Sequence, residues 1–336
     1  MTGDRALRMI DLGEVSYLET QSVYHAVATC MDEATPDTII LCRPNSPYLC
    51  LGYHQSSLQV LDPVAVSANS LPVMRRRLGG GLTYLDNQQQ FYQCIFHRSR
   101  SPAMPARVYA SRLKPPIDTL RRLGLPAQLR YTNEIEVSGR RIAGIGGGII
   151  SQASVVVGNI LNDFDYETMA SVLNSPCAEF RDLALWAMRQ RITTLGLERR
   201  SSAWLELPDM LLDAFRSGFN ATAFRGELSD NERVEAIRQA EIMTAKSYLE
   251  QRENLSQSDA MPILQLKISG STMTRLVAIR TGSSLEYSVL SLRDGIVEKV
   301  AAIQEMPEVL SDESQPSSIA IHDSDEIAIG RRLTSD

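Results

Sequence analysis

Two glycine clusters constrain this chain more than any other feature of its 336 residues. Arg75-Arg76-Arg77-Leu78 runs into Gly79-Gly80-Gly81, followed by Leu82-Thr83-Tyr84-Leu85-Asp86. Further along, Asn133-Glu134-Ile135-Glu136-Val137 precedes a stretch in which five glycines fall between Gly139 and Gly148. Glycine has no side chain to bury and weakens regular elements, so this density is wrong for a packing element. It suggests a hairpin whose backbone lines a ligand. Where arginines stand beside such a turn, bare N–H groups can approach an anion while the guanidinium neutralises it. Both blocks therefore point to a phosphorylated or carboxylated small molecule. The competing reading is that Gly79-Gly80-Gly81 is a tight hairpin and nothing more.

Composition narrows the class. At 43% hydrophobic and 22% charged residues, the chain can bury a substantial core, enough for two domains. A net charge of −6 gives no general attraction to nucleic acid, so the arginines act locally. No apolar run reaches the roughly 20 residues that span a bilayer, and Met1 to Arg5 lacks a signal-peptide core. The expectation is a cytoplasmic protein. Its five cysteines are Cys30, Cys42, Cys50, Cys94 and Cys177; the odd number and absent CxxC spacing argue against a disulfide framework or zinc site. Four histidines without ligand spacing argue against a histidine metal centre.

The periodicity predicts an amphipathic helix over Tyr17 to Met31, then a hairpin-like pair of strands, Thr38 to Cys42 and Tyr48 to Gly52. Leu82 to Tyr84, Phe91 to Phe96, Glu134 to Val137 and Ala153 to Leu161 read as strands. A helix covers the stretch from Val108 to Leu123, with Pro115-Pro116 expected to break or start it. Helical patterns return at Tyr166 to Leu173, Arg181 to Arg189 and Trp204 to Phe219. The sum is an α+β architecture, a mixed or antiparallel sheet flanked by helices. From Ser229 a capping-box sequence opens a charged helix reaching about Leu249, and a polar stretch from Gln251 to Asp259 leads into alternating strands with an Asp294-Gly295 hairpin turn. These shifts divide the chain into a catalytic-type domain over 1–225, a small α/β domain over 226–305 and an acidic, partly disordered tail over 306–336.

Several segments together resemble the lipoate–protein ligases and related octanoyl and lipoyl transferases, which share a catalytic fold with biotin–protein ligases. Leu51-Gly52-Tyr53-His54-Gln55 is similar to that family's Gly-x-x-Gln strand end, and Arg75 to Asp86 to its Arg-Arg-x-Ser-Gly-Gly-Gly-x-x-x-His-Asp motif. Asn133 to Gly144 resembles Asn-Asp-x…Gly-x-Lys-Ile-Ser-Gly. Gly158-Asn159-Ile160-Leu161 with Asp165 resembles His-Gly-Thr-Leu-Leu and its downstream aspartate, and Met188 to Leu195 resembles Val-Arg-Ser-Arg-Val-Thr-Asn-Leu. The motifs occur in the family's order between Tyr17 and Phe219, and the region after Ser229 resembles its accessory C-terminal domain.

The resemblance implies ATP-dependent activation of lipoate or a related medium-chain acid to an acyl-adenylate. The acyl group then passes to a lysine of a lipoyl-domain or glycine-cleavage-H-like carrier protein. ATP, Mg²⁺ and lipoate are the implied cofactors. By this likeness Arg141 takes the catalytic position, and Arg75, Arg76 and Gly79 to Gly81 serve the acyl and phosphate region. Asn133 orients a phosphate or Mg²⁺, Gly144 and Gly158 belong to the site, and Leu51, Val155 and Val157 wall the acyl chain. Each methylene buried there is worth about 0.8 kcal/mol. The bland alternatives are that Asn133 only caps a turn and that the valines are ordinary core.

The departures are specific. Arg141 stands where the family has its catalytic lysine, Leu78 where it has the motif serine, Leu85 the motif histidine, and Val156-Val157 the paired histidines before glycine. Arginine can clamp an acyl-phosphate but has no accessible neutral form with which to shuttle a proton. Leu173-Asn174-Ser175-Pro176-Cys177-Ala178 also resembles the Ile-Asn-Pro-Cys-Gly segment of the octanoyl transferases, which supports an alternative reaction in which Cys177 carries the acyl group as a thioester. A third alternative is a non-catalytic homologue that binds an acyl ligand or a partner ligase subunit.

Overall fold

The computed structural model describes residues 6–251, 264–281, 284–303 and 321–323. Residues 1–5, the expected polar linker from 252 onward and the expected tail, apart from Ile321–Asp323, lie outside them. The described residues divide into two compact units, the first from Met1–His54, Leu71–Phe164 and Thr193–Gln251, the second from Gln55–Ser70, Asp165–Ile192 and Arg252–Asp336.

In the first unit the chain runs β1 (Ala6–Val15), α1 (Tyr17–Cys30), β2 (Asp37–Pro44) and β3 (Tyr48–Leu51). In the second unit, α2 (Ser57–Val60) and α3 (Pro63–Ala68) follow. Back in the first unit come β4 (Val73–Arg75), β5 (Thr83–Leu85), β6 (Gln89–His97), α4 (Pro105–Arg122), β7 (Ala127–Arg130), β8 (Glu134–Val137), β9 (Arg140–Ile150) and β10 (Ala153–Leu161). The second unit takes α5 (Tyr166–Ser171) and α6 (Ala178–Arg191), and the first closes with α7 (Leu207–Gly218), β11 (Thr222–Arg225), α8 (Asp230–Thr244) and α9 (Lys246–Leu249).

Among the described residues, eight strands of the first unit form one mixed sheet in the order β11-β1-β2-β6-β10-β9-β8-β7, and three form a small sheet, β4-β3-β5. Side-chain alternation gives the large sheet two apolar faces. Leu113, Leu120, Leu211 and Phe215 of α4 and α7 pack with Phe96, Val156 and Ile160 on one face. On the other, Val23, Tyr24 and Val27 of α1 and Ala236 and Met243 of α8 join Ile95, Val155 and Val157. The second unit holds an antiparallel sheet of β12 (Gln265–Lys267), β13 (Thr272–Thr281), β14 (Ser284–Arg293) and β15 (Ile296–Ala302), with β16 (Ile321–Asp323) parallel to β13. Asp294 at φ 52° and Gly295 at φ 78° make its expected hairpin turn. The class is α+β, as the strand and helix pattern predicts.

Strand β1 precedes the expected helix, which forms as α1, and pairing with both β2 and β11 stabilises a segment whose own alternation is weak. Three local expectations are corrected. The segments Thr38 to Cys42 and Tyr48 to Gly52 do not pair as a hairpin; β2 joins the large sheet and β3 the small one. Pro115-Pro116 does not interrupt α4. The helix survives the two missing N–H donors because α7 packs onto Pro115 so closely that a Cβ on Gly218 would stand 2.9 Å from its Cγ. Finally, α8 joins the first unit rather than a C-terminal body. Its Glu232, held by the predicted capping box, receives the buried Arg8 of β1 at 2.5 and 2.9 Å.

Candidate active site

Strand β9 carries the site, and a bulge aims it. Opposite β8, Ile135 pairs with Ala143 while Glu136 pairs with Arg141, so Ile142 is the extra residue. A bulge inverts the alternation that follows it. Ile142 and Ala143 both enter the α4/α7 core, and Arg141 shares the opposite face with Gly144. A Cβ on Gly144 would lie 3.2 Å from an Arg141 Nη and 2.8 Å from Asn159 Oδ1, so any side chain there would push these two groups aside. Arg141 Nε donates to its own strand at Ala143 O, 3.0 Å away, and the Arg141 carbonyl accepts from Thr193 N at 2.8 Å. Burial lowers the pKa of this guanidinium, while the neighbouring Glu134 carboxylate opposes the shift.

Beyond Gly144 the same face continues through Gly146 and Gly148. Gly146 looks toward Gly79, whose carbonyl would lie 3.9 Å from a Cβ, and Gly148 toward Leu78, at 3.2 Å. The two glycine clusters that stand apart in sequence therefore face one another across a strip without side chains. Among the described residues, the main-chain N–H groups of Gly79, Gly80 and Gly81 have no protein acceptor. The turn is seated on Gly52: a Cβ there would be 1.8 Å from Gly80 O.

The arginines of the turn play different parts from those expected. Arg75 is wholly buried, and its guanidinium donates to four main-chain carbonyls, Gly52, Tyr53, Tyr248 and Leu249. Its charge ties β3 and α9 to β4, which corrects its assignment to ligand binding. Arg76 spends four of its donor hydrogens on Gly79 O twice, Gly81 O and Cys50 O, at 2.8 to 3.2 Å. It is the template around which the glycine turn winds.

The remaining expected positions divide by sheet face. Val155 and Val157 belong to the apolar cluster on the Arg141 side, together with Leu78 and Leu85, so the residues in place of the motif serine and histidine have become core. Tyr48 and Cys50 point into that cluster, and strand alternation turns buried Leu51 away from it. Gly158 also faces away: a Cβ there would strike Tyr92 Oη at 2.2 Å in the α4/α7 core, which makes it a packing glycine. Asn133 is exposed, in the turn before β8. Cys177 lies in the second unit as the N-cap residue of α6; burial, with Glu179 adding to it, pushes its thiol up to about 11.

Two side chains given no role by sequence reasoning complete the site. Asn159 Oδ1 accepts the Gly144 N–H at 2.7 Å, and its Nδ2 donates to Gln89 Oε1 at 2.5 Å. Gln89, fully buried, donates in turn to Tyr84 O at 3.1 Å. Asn159 sits inside a quoted motif, but only the register that pairs it with Gly144 reveals the contact.

Residues 16–216 match the lipoyl protein ligase A/B catalytic domain family. The chain is 24% identical over 257 residues to the octanoyltransferase LipM of Symbiobacterium thermophilum, covering 68% of this chain and 92% of that one. It is 23% identical over 168 residues to the lipoate-protein ligase LplJ of Bacillus subtilis, a match spanning 50% of each chain. In fold it is similar to the bi-partite lipoate protein ligase of Thermoplasma acidophilum, with a TM-score of 0.67 and 16% identity over 74% of this chain and 98% of that one. A lipoate-protein ligase A bound with ATP gives a TM-score of 0.62 at 15% identity, over 73% and 98%. With a facing pair of glycine surfaces, an arginine turned onto them and a matching profile over more than half its length, the chain belongs to the lipoyl protein ligase A/B catalytic domain family.

Proposed function

We propose that this protein activates lipoate or a related medium-chain acid with ATP and transfers the acyl group to a lysine of a lipoyl-domain or glycine-cleavage-H-like carrier. In the first step the carboxylate oxygen attacks the α-phosphorus and pyrophosphate leaves. In the second, the lysine amine attacks the acyl carbonyl and AMP leaves. Both steps gather negative charge around one phosphoryl and one acyl oxygen. Fixed positive charge and pre-aimed N–H groups stabilise such charge without reorganising.

The observation that carries this reading is the bulge at Ile142. It places the Arg141 guanidinium over Gly144, on the face where the Gly79 turn approaches Gly146. Arg141 supplies charge and orientation there, not proton transfer. The unpaired N–H groups of Gly79 to Gly81 suit a phosphate or acyl oxygen. The buried cluster of Val155, Val157, Leu78 and Leu85 lies beneath this face, and the hydrocarbon chain would pack against its edge. For Mg²⁺, no three His, Cys, Asp or Glu side chains come together among the described residues. Asn133 and the buried Glu134 offer an amide oxygen and a carboxylate. That fits the way the ion accompanies nucleotides, with few protein oxygens and the phosphates and water completing its shell. Bound there it would neutralise triphosphate charge.

The test is to incubate the protein with Mg-ATP and lipoate or octanoate and to look for acyl-adenylate by mass spectrometry. Adenylate from the wild type and none from Arg141→Ala supports the proposal; none from the folded wild type overturns its first step. A second reading, ATP-independent acyl transfer through Cys177, draws on the match to an octanoyltransferase over most of that enzyme's length. It predicts a thioester on Cys177 after incubation with an octanoylated carrier and no dependence on ATP.

A further inference from the structure

On the α4/α7 side of the large sheet, away from the Arg141 face, the turn after β6, the middle of α4 and the end of α7 line an open cleft of about 670 Å³. Its lining includes Arg100, Arg112, Lys114, Ser101, Ser111 and Phe219, and no aspartate or glutamate. Arg112 is the centre of this arrangement. It is 4% exposed, with its guanidinium carbon 3.5 Å from the centre of the Phe96 ring and 5.3 Å from that of Phe219.

The guanidinium is also fixed in its plane. Arg112 donates to Ser111 Oγ at 3.0 Å and to Ser101 Oγ at 3.3 Å. Both hydroxyls donate onward, Ser111 to Val108 O and Ser101 to His97 O, so their acceptor sides face the arginine. Desolvating a cation is costly, and the two aromatic rings and two hydroxyls offset part of that cost while holding the guanidinium in place. Around it, Arg100 meets Asp37 and Lys114 meets Asp118, with both carboxylates outside the cleft lining. The walls thus present basic side chains and an aromatic surface to one open cleft.

We propose that this cleft is a second ligand site, for a small organic anion whose phosphate or carboxylate group meets Arg112 and Lys114 while its apolar body lies against Phe219. The site is separate from the one formed around Arg141 and does not depend on the reaction assigned there.

The test is titration of the full-length protein with phenyl phosphate, and in parallel with benzoate, followed by calorimetry and ligand-observed NMR. The expected result is saturable one-to-one binding. Lys114→Gln weakens it about threefold, as for an exposed and screened charge, and Arg112→Lys weakens it about tenfold through loss of the planar fork. Because Arg112 is packed between rings and its replacement can unfold the protein, Ser111→Asp provides a second variant: a carboxylate at the lining abolishes binding. Preference for phenyl phosphate over benzoate assigns a phosphate ligand, and the reverse a carboxylate ligand. Absence of saturation by about 10 mM, a range in which even one charge-assisted contact registers, overturns the proposal. Binding lost in Arg141→Ala but intact in Ser111→Asp overturns it equally, since the anion would then occupy the other site.

Discussion

Gly144 and Asn159 face each other as register partners on β9 and β10, and the Asn159 side-chain oxygen takes the Gly144 N–H at 2.7 Å. A methyl group on Gly144 would meet that oxygen at 2.8 Å and the Arg141 guanidinium at 3.2 Å. Both neighbours would have to move, and one of them is the proposed clamp. Gly144→Ala is expected to cost about 1–3 kcal/mol of stability through overpacking. It should also lower adenylation by about 100-fold, the scale of an ångström misplacement. Urea unfolding and adenylate assays on the same variant separate the two effects. Unchanged kcat/KM in a destabilised protein would show that Arg141 need not hold this position.

Arg75 gives the opposite pattern. Four of its donor hydrogens serve buried or partly buried carbonyls, and removing them leaves those acceptors unpaired. Arg75→Met is expected to lose at least about 3 kcal/mol of unfolding free energy, since an unsatisfied buried group costs about 1–3 kcal/mol and several are exposed at once. Arg75→Lys should recover only part of the loss, because a single ammonium cannot copy the fork. A wild-type unfolding midpoint combined with a raised KM for ATP would instead return Arg75 to the ligand.

These two residues also mark what could be read from the sequence. The glycine clusters, the capping box at Ser229 and the strand around Val155 are legible because each depends on local chemistry. Arg75 and Arg76 look alike in sequence, and only the carbonyls they find in three dimensions distinguish a structural tie from a turn template. The aim of Arg141 depends on one inserted residue in a β ladder, which no periodicity records. β1 was missed because its partners, β2 and β11, lie on either side and supply the stability its own pattern lacks.

His25 on α1 offers a pH prediction. Its ring is fully buried, neither nitrogen has a hydrogen-bond partner among the described residues, and the ring sits 4.3 Å from Tyr24. Burial, followed by the positive charges of Arg77 and Arg76, lowers its pKa well below the usual 6.5. The folded protein therefore keeps His25 neutral where the unfolded chain protonates it. Stability is unaffected above pH 6.5 and falls below it, by about 1.4 kcal/mol per pH unit until the folded-state pKa is reached. His25→Leu should flatten this acid loss and, by removing two unsatisfied polar atoms, leave stability at pH 7.5 unchanged or higher. Urea melts of both proteins from pH 7.5 to 5 decide it; parallel pH dependence would mean that His25 finds a proton partner on folding.

Cys177 tests whether acyl transfer through a thioester is chemically prepared. Burial comes first in raising its thiol to about 11, Glu179 adds to the shift, and the main-chain N–H groups of Phe180 and Glu179 oppose it. At pH 7.5 a thiol of that pKa is thiolate in only about one molecule in three thousand, and the thiolate is the nucleophile. Iodoacetamide labelling of Cys177 should accordingly rise about tenfold per pH unit between pH 7 and 10 without a plateau. Labelling is followed by mass spectrometry, with Cys177→Ser identifying the peptide. Cys177→Ser should also leave ATP-dependent adenylate formation intact. A labelling plateau near pH 7 would reveal a cation that activates the thiol in solution, and the transfer route through Cys177 would then have the nucleophile it requires.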